Sequence, residues 1–439
     1  MQRYEKYKDS GIDWLGEIPE HWDKSKLKYL CGIYTGYTPP TENKDNFHED
    51  GVLWVKPNNL EGLKYIYETD EKVSLTAIRN GYLIPINSIL VCSIGTIGKI
   101  GIAGDNLITN QQINSFVFNE KVNSGFSKYM VFNAEKVFDK FSNGNVVKII
   151  NTAAQKEIEF CLPPVLEQEA IAKFLDDKCE KIDTTVNLKE QQIEKLKELR
   201  KITIHNAVTK GISQFTGEAV TMKDSGIDWI GEIPKHWAIL SLKHLSRRIV
   251  DGAHFTPTYV DSGVPFLRVT DLSNSSIDRK IDWTNVKYIP EVEHKELIKR
   301  ANPERGDILL SKNGTIGLTR VIDWDEEFSF FVSLCLIKPI EKLSANYFEF
   351  FFNCPIVDRQ INDGSSRTSV TNLHLEKIKE LLIILPPLSE QQEIVSYLDK
   401  QTSKIDKAIA QKQEQIVKLK EYKQSLINEV VTGKIKVAV

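Results

Sequence analysis

The 439 residues contain only six cysteines, Cys31, Cys92, Cys161, Cys179, Cys335 and Cys354, scattered along the chain. They form no Cys-x-x-Cys and no Cys/His group at zinc spacing, so they read as free thiols buried in a core and no metal site is expected. Long apolar runs are also missing. Nothing reaches the ~18–20 residues of a membrane span, and the first nine residues, Met1 to Asp9, have no signal-peptide core, which points to a cytoplasmic chain without a membrane partner. Charge of one sign is lacking too: Lys+Arg 57 against Asp+Glu 60 leaves −3, and that is no global basic footprint. Residues 1–211 carry 27 cations and 29 anions, and 212–439 carry 30 and 31, so each half is separately near neutral. A Walker loop is absent, as are the Gly-rich cofactor loop and [Asn/Asp]-Pro-Pro-aromatic motif of amino-methyltransferases. The only Pro-Pro pairs are Pro39-Pro40, Pro163-Pro164 and Pro386-Pro387. An enzyme built on either chemistry is excluded.

What the chain does have is a copy of itself. Lys8-Asp-Ser-Gly-Ile-Asp-Trp-Leu-Gly-Glu-Ile-Pro-Glu-His-Trp22 returns 215 residues later as Lys223 to Trp237, differing only at Leu15/Ile230 and Glu20/Lys235. A second pair, Leu162-Pro-Pro-Val-Leu-Glu-Gln-Glu and Leu385-Pro-Pro-Leu-Ser-Glu-Gln-Gln, lies 223 residues apart, so the second copy is eight residues longer between these landmarks. Between them the copies share only fragments: Gly95-Thr-Ile-Gly98 with Gly314-Thr-Ile-Gly317, Val55 to Leu60 with Leu267 to Leu272, and Gly144 with Gly364. Two divergent bodies are held between near-identical flanks.

After each Pro-Pro a Lys/Glu/Gln/Leu/Ile-rich stretch has helical composition and period. Alternate steps of four and three give Leu175, Cys179, Ile182, Val186, Lys189, Ile193, Leu196, Arg200, Thr203 and Ala207. The same steps give Leu398, Thr402, Ile405, Ile409, Lys412, Ile416, Leu419, Lys423, Leu426 and Val430. These matched stripes, with cations at matched places, predict a specified coiled coil. Each body shows short strands broken by Gly, Asn and Pro, and one late aromatic helical pattern, Phe126–Phe141 and Tyr347–Ile361, so the class is α+β. The expected layout is flank 1–22, body 23–163, central helix 164–209, linker and second flank 210–237, body 238–386, distal helix 387–432 and tail 433–439. The linker from Thr209 to Lys223 matches the path from Thr432 through joined termini to Lys8. That internal pseudo-two-fold, circular repeat predicts termini lying together beside the helices.

In order and in both copies, the Asp-Ser-Gly-Ile-Asp-Trp opening, a Gly-x-Thr-Pro-like loop, the Gly-Thr-Ile-Gly turn and Leu-Pro-Pro-x-x-Glu-Gln resemble the specificity (S) subunit of Type I restriction-modification systems. The resemblance implies two target-recognition domains joined by an antiparallel pair of long helices. It also implies double-stranded DNA and two adenine methyltransferase (M) subunits as partners, with restriction/translocase (R) subunits completing a phage-defence complex. S-adenosylmethionine, Mg and ATP would then sit on partner subunits, and the S subunit itself would not be an enzyme. Unlike bodies should read unlike halves of an asymmetric site. A near-neutral chain should grip DNA weakly alone, with M subunits supplying most of the clamp. The rival reading is a coiled-coil scaffold that binds only protein.

Base-edge readout needs Arg, Lys, Asn, Gln or hydroxyl side chains on loops. In the first body the candidates are Thr35, Thr38, Lys56, Asn58, Asn59, Ser93, Thr96, Lys99, Asn110, Gln111, Gln112, Asn143 and Lys148. In the second they are His254, Thr256, Arg268, Thr270, Asp271, Lys312, Asn313, Thr315, Arg320, Ser365, Ser366 and Arg367. The glycines of Gly-Thr-Ile-Gly point to a tight turn, and Asn59 and Asp271 could cap one. His21 and His236 have no metal partners in sequence and are expected to pack against the helix ends or the M subunit.

Overall fold

A computed structural model describes residues 2–78, 82–144, 147–213, 220–273, 281–362 and 372–437. The chain forms two compact units: residues 1–188 with 415–439, and residues 189–414. These boundaries fall inside the two long helices, Val165–Lys210 and Leu388–Val431, so each unit owns a body plus a stretch of both helices. At ~1.5 Å per residue the helices, of 46 and 44 residues, are about 69 and 66 Å long. Each starts just after its Pro-Pro, as expected where proline opens a helix but cannot continue one.

In the first unit a five-stranded sheet runs in the order Cys31–Thr35, Ile113–Phe118, Ile89–Cys92, Ile100–Ala103, Tyr65–Ile66, antiparallel but for its last pair. A smaller sheet joins Ile108–Thr109, Phe47–Val55 and Lys72–Val73. The second unit keeps this plan with Ser246–Asp251, Leu334–Pro339, Ile308–Ser311, Thr319–Val321 and a three-stranded sheet around Val264–Leu267. A two-stranded ribbon closes each body, Asp23–Lys26 on Glu159–Leu162 and Ala238–Ser241 on Leu382–Leu385. The aromatic patterns each become two helices, Ser124–Asn133 with Glu135–Lys140, and Ala345–Phe352 with Pro355–Asn362. In the second copy Pro355 forces the break. The amphipathic helix Glu291–Arg300 was not foreseen, although its acidic first turn and basic last turn are helix signals.

The predicted stripes are the buried faces of both long helices: every position is buried or half-buried. Within the first unit Ile171, Leu175 and Cys179 share a core with Leu426, Ile427 and Val430, and Lys423 pairs with Asp183 at 2.6 Å. Within the second, Arg200 pairs with Asp406 at 3.0 Å and Lys412 donates to Gln192 at 2.6 Å, so partner numbers fall as helix numbers rise: the coil is antiparallel. The pair 183/423 is the repeat's image of 406/200. The repeat also closes at its ends, for Gln2 and Lys436 form an antiparallel bridge. All six cysteines are buried and free, and no helix among the described residues is long and apolar enough to cross a membrane.

The repeated motifs prove to be joints. Glu167 takes the Tyr4 hydroxyl and an ion pair from His21 at 2.9 Å; Glu390 takes His236 at 2.7 Å and the Trp237 indole N–H at 2.9 Å. The next residue is a buried glutamine. Gln168 donates to the carbonyls of Lys121 and Pro163 at 3.0 and 2.9 Å and accepts from Asn123 N–H at 2.8 Å. Gln391 does the same with Lys342, Pro386 and Ser344 at 2.8, 2.9 and 2.8 Å. Asn123 and Ser344 are themselves the caps of the body helices. Removing the amide strands buried backbone groups at about 1–3 kcal/mol. Gln391→Ala and Gln168→Ala should each destabilise their own unit by about 2–3 kcal/mol in chemical denaturation; a loss below about 0.5 kcal/mol would contradict this role.

Candidate nucleic-acid interface

The five candidate segments of the first body, far apart in sequence, meet at one edge of its sheets. Gly36 N–H reaches Ile113 O at 3.1 Å and Tyr37 N–H reaches Thr109 O at 2.9 Å, while Asn110 N–H reaches Val55 O at 2.9 Å. Ser93 N–H bonds Gln112 O at 2.7 Å, and the Lys99 ammonium reaches Pro57 O at 3.1 Å. Gly95 N–H bonds Lys148 O at 2.9 Å, Ile150 N–H bonds Ser93 O at 2.9 Å, and Ile94 bridges Ile149.

The second body repeats most of this skeleton. Gly252 N–H meets Leu334 O at 3.3 Å, Ala253 N–H meets Phe330 O at 2.9 Å, and Phe331 N–H meets Leu267 O at 2.9 Å. Lys312 N–H meets Ser333 O at 2.9 Å, Leu373 N–H meets Lys312 O at 2.8 Å, and Asn313 bridges Asn372. The Gly-Thr-Ile-Gly turns also match, with φ of 85° and 80° at Gly95 and Gly98 and 73° and 90° at Gly314 and Gly317. These are left-handed conformations that favour glycine, so these glycines make the turn.

Side chains on this common skeleton differ in what they are committed to. In the first body Lys56 is held by Glu71 at 2.8 Å and over the Trp54 ring at 4.3 Å, and Asn58 by Asp70 at 3.4 Å. Asn59 caps Lys56 N–H at 2.8 Å, as its turn reading anticipated. Thr35 donates to Asn114 at 2.9 Å, Thr38 to Gln111, Asn110 to Gln112 at 3.0 Å and buried Ser93 to Gln112 O at 3.0 Å. Thr96 and Asn143 are exposed, as is Lys148, which pairs with Asp139 at 2.6 Å.

In the second body Arg268 forks onto Asp271, with contacts of 3.2 and 3.0 Å, and Asp271 caps Arg268 N–H at 2.7 Å. Lys312 is buried against buried Asp251 at 2.9 Å. Arg320 turns inward, donating to Thr319 O at 2.8 Å with Glu349 at 3.6 Å. His254 faces Asp251 at 3.4 Å and Arg300 at 3.5 Å; Thr256, Thr270 and Thr315 are exposed. Ser365, Ser366 and Arg367 lie outside the described residues. Arg300, on the helix that the sequence did not show, was not singled out. Ile94, Ile149 and Asn372 were missed because only the fold pairs them.

Beside each skeleton lies a cavity at the matching place. The first, about 620 Å³, is lined by Tyr34, Thr35, Tyr37 and Tyr82; the second, about 220 Å³, by Asp251, His254, Phe255 and Arg300. Tyr34 and Tyr82 stack at 4.7 Å, and burial with the Tyr34 hydrogen bond pushes the Tyr82 phenol up to about 12. No group of His, Cys, Asp or Glu able to hold a metal occurs among the described residues.

These placements separate structural from available cations. Lys312→Ala leaves the buried Asp251 carboxylate with only the exposed His254 beside it and should cost about 3 kcal/mol in denaturation. Lys148→Ala, on an exposed pair, should cost under about 0.5 kcal/mol. If Lys148 neutralises a phosphate in the assembled complex, its loss lowers the salt slope of DNA binding by about one; an unchanged slope removes it from the interface.

Comparison with known proteins gives a consistent result. The family model described as Type I restriction modification DNA specificity domain matches residues 19–198 and 254–418. The MjaIX Type I specificity subunit of Methanocaldococcus jannaschii is 24% identical over 96% of this chain and 95% of its own. The EcoBI specificity subunit of Escherichia coli is 21% identical over 97% and 89%. A chain from a solved type I restriction-modification assembly shares the fold with TM-score 0.70 at 16% identity, covering 95% of this chain and 99% of that one. The HsdS subunit of Thermoanaerobacter tengcongensis gives 0.51 at 16% identity, covering 95% and 98%.

Proposed function

Since the chain belongs to the Type I restriction modification DNA specificity family and is a sequence-recognition subunit, we propose that its two bodies read the two halves of an asymmetric, two-part DNA site through the major groove. The observation that carries this reading is the doubled loop skeleton: one backbone frame, used twice, with different side chains on it. Different linings on one frame are what two unlike half-sites require. The paired long helices set the unread spacer. Both are longer than the ~34–36 Å between successive major-groove faces on one side of B-DNA.

The chain does no chemistry of its own in this reading. Methyl transfer with S-adenosylmethionine belongs to two methyltransferase subunits that dock on the helices and flanks, and ATP-driven cleavage belongs to restriction subunits. The protein-only scaffold is not favoured, because the curated relatives are named as specificity subunits across most of this chain.

Selection of random DNA by the chain with its methyltransferase partners should enrich one motif of two unlike halves around a fixed gap; no enrichment would leave the scaffold reading standing. Deleting one heptad from each long helix should shorten the gap and leave both half-sites unchanged. An altered half-site would show that the helices do more than space the bodies.

A further inference from the structure

Most amides and cations at the two loop edges are already engaged within the protein. Two are not. At the bridge that ties the Gly-Thr-Ile-Gly turn to the strand-like segment after the body helices, the first body carries Ile94 opposite Ile149 and the second carries Asn313 opposite Asn372. The backbone is the same in both: Ile150 and Leu373 each donate to the residue before the bridge, Ser93 and Lys312. Both asparagines are half-buried, and the Oδ1 atoms of both are enclosed without a hydrogen-bond partner. A native chain rarely leaves such acceptors unmet, and each calls for an explanation. Ile149 is the converse case, a large apolar side chain left 46% exposed.

We propose that this bridge is a specificity position in both bodies: the Asn313/Asn372 pair reads adenine in one half-site, and the Ile94/Ile149 pair packs on a thymine methyl in the other. An asparagine amide offers a donor and an acceptor in the spacing of adenine N6 and N7, and neither Oδ1 gives up a bond within the protein when its side chain swings out to a base. For isoleucine the only apolar group that the major groove presents is the thymine methyl. The inference rests on the bodies being the readers and adds which residues read and what class of base each takes.

The test uses the chain assembled with its methyltransferases in cells, read by methylome sequencing. Asn313→Ala and Asn372→Ala keep the backbone bridge and should each weaken discrimination at one A·T pair of the second body's half-site by about 10-fold, with the first half-site intact. Ile94→Asn with Ile149→Asn should change one base pair of the other half-site. Unchanged base preferences with methylation intact would overturn the proposal, as would loss spread evenly over both halves. Thermal melting of each variant separates misfolding from lost readout, and the Ala variants decide if the Asn exchanges do not fold. A graft of residues 238–384 in place of 23–161 runs alongside. If the graft makes the half-sites alike while the amide variants change nothing, only this inference falls. If the graft leaves the motif unchanged, the reading beneath it falls.

Discussion

One buried amide at the head of each long helix holds the architecture together. Gln168 and Gln391 sit at 1% and 0% exposure, each spending its donors on two backbone carbonyls and its acceptor on the N–H of a helix-capping residue. The preceding glutamate binds the repeated flank. Within each unit, a seven-residue motif therefore fixes flank, body and helix to one another. The glutamine recurs in both copies because a buried, fully bonded amide tolerates few replacements, whereas a loop edge constrained only through its backbone tolerates many.

That contrast explains what could be read from the sequence. The stripes from Leu175 to Ala207 and Leu398 to Val430 were legible because burial repeats every three to four residues, and the structure buries each position. The closure of the ends was legible from matched linker lengths and appears as the Gln2–Lys436 bridge. Each aromatic pattern reads as one helix and is two; Pro355 marks the break after Cys354, while the one at Ala134 carries no such mark.

The interface was legible only in part. Loop segments were found from their polar side chains, and five of them converge in the first body. Which side chains remain available could not be read, because availability is decided by partners distant in sequence. Lys312 looks like a reader but is locked to Asp251 across 61 residues of chain; Asn372 looks like nothing until it is paired with Asn313. Composition gave no help here: each half is separately near neutral, so no global basic footprint marks a face.

In the proposed reading, matched turns of one duplicated frame face two different half-sites. Photo-crosslinking from Thr96 and Thr315, exposed residues at matching points of those turns, on DNA bound by the chain with its methyltransferases, tests it directly. Thr96 should crosslink within one half-site and Thr315 within the other. Crosslinks from both into the same half-site, or into the spacer alone, would contradict it.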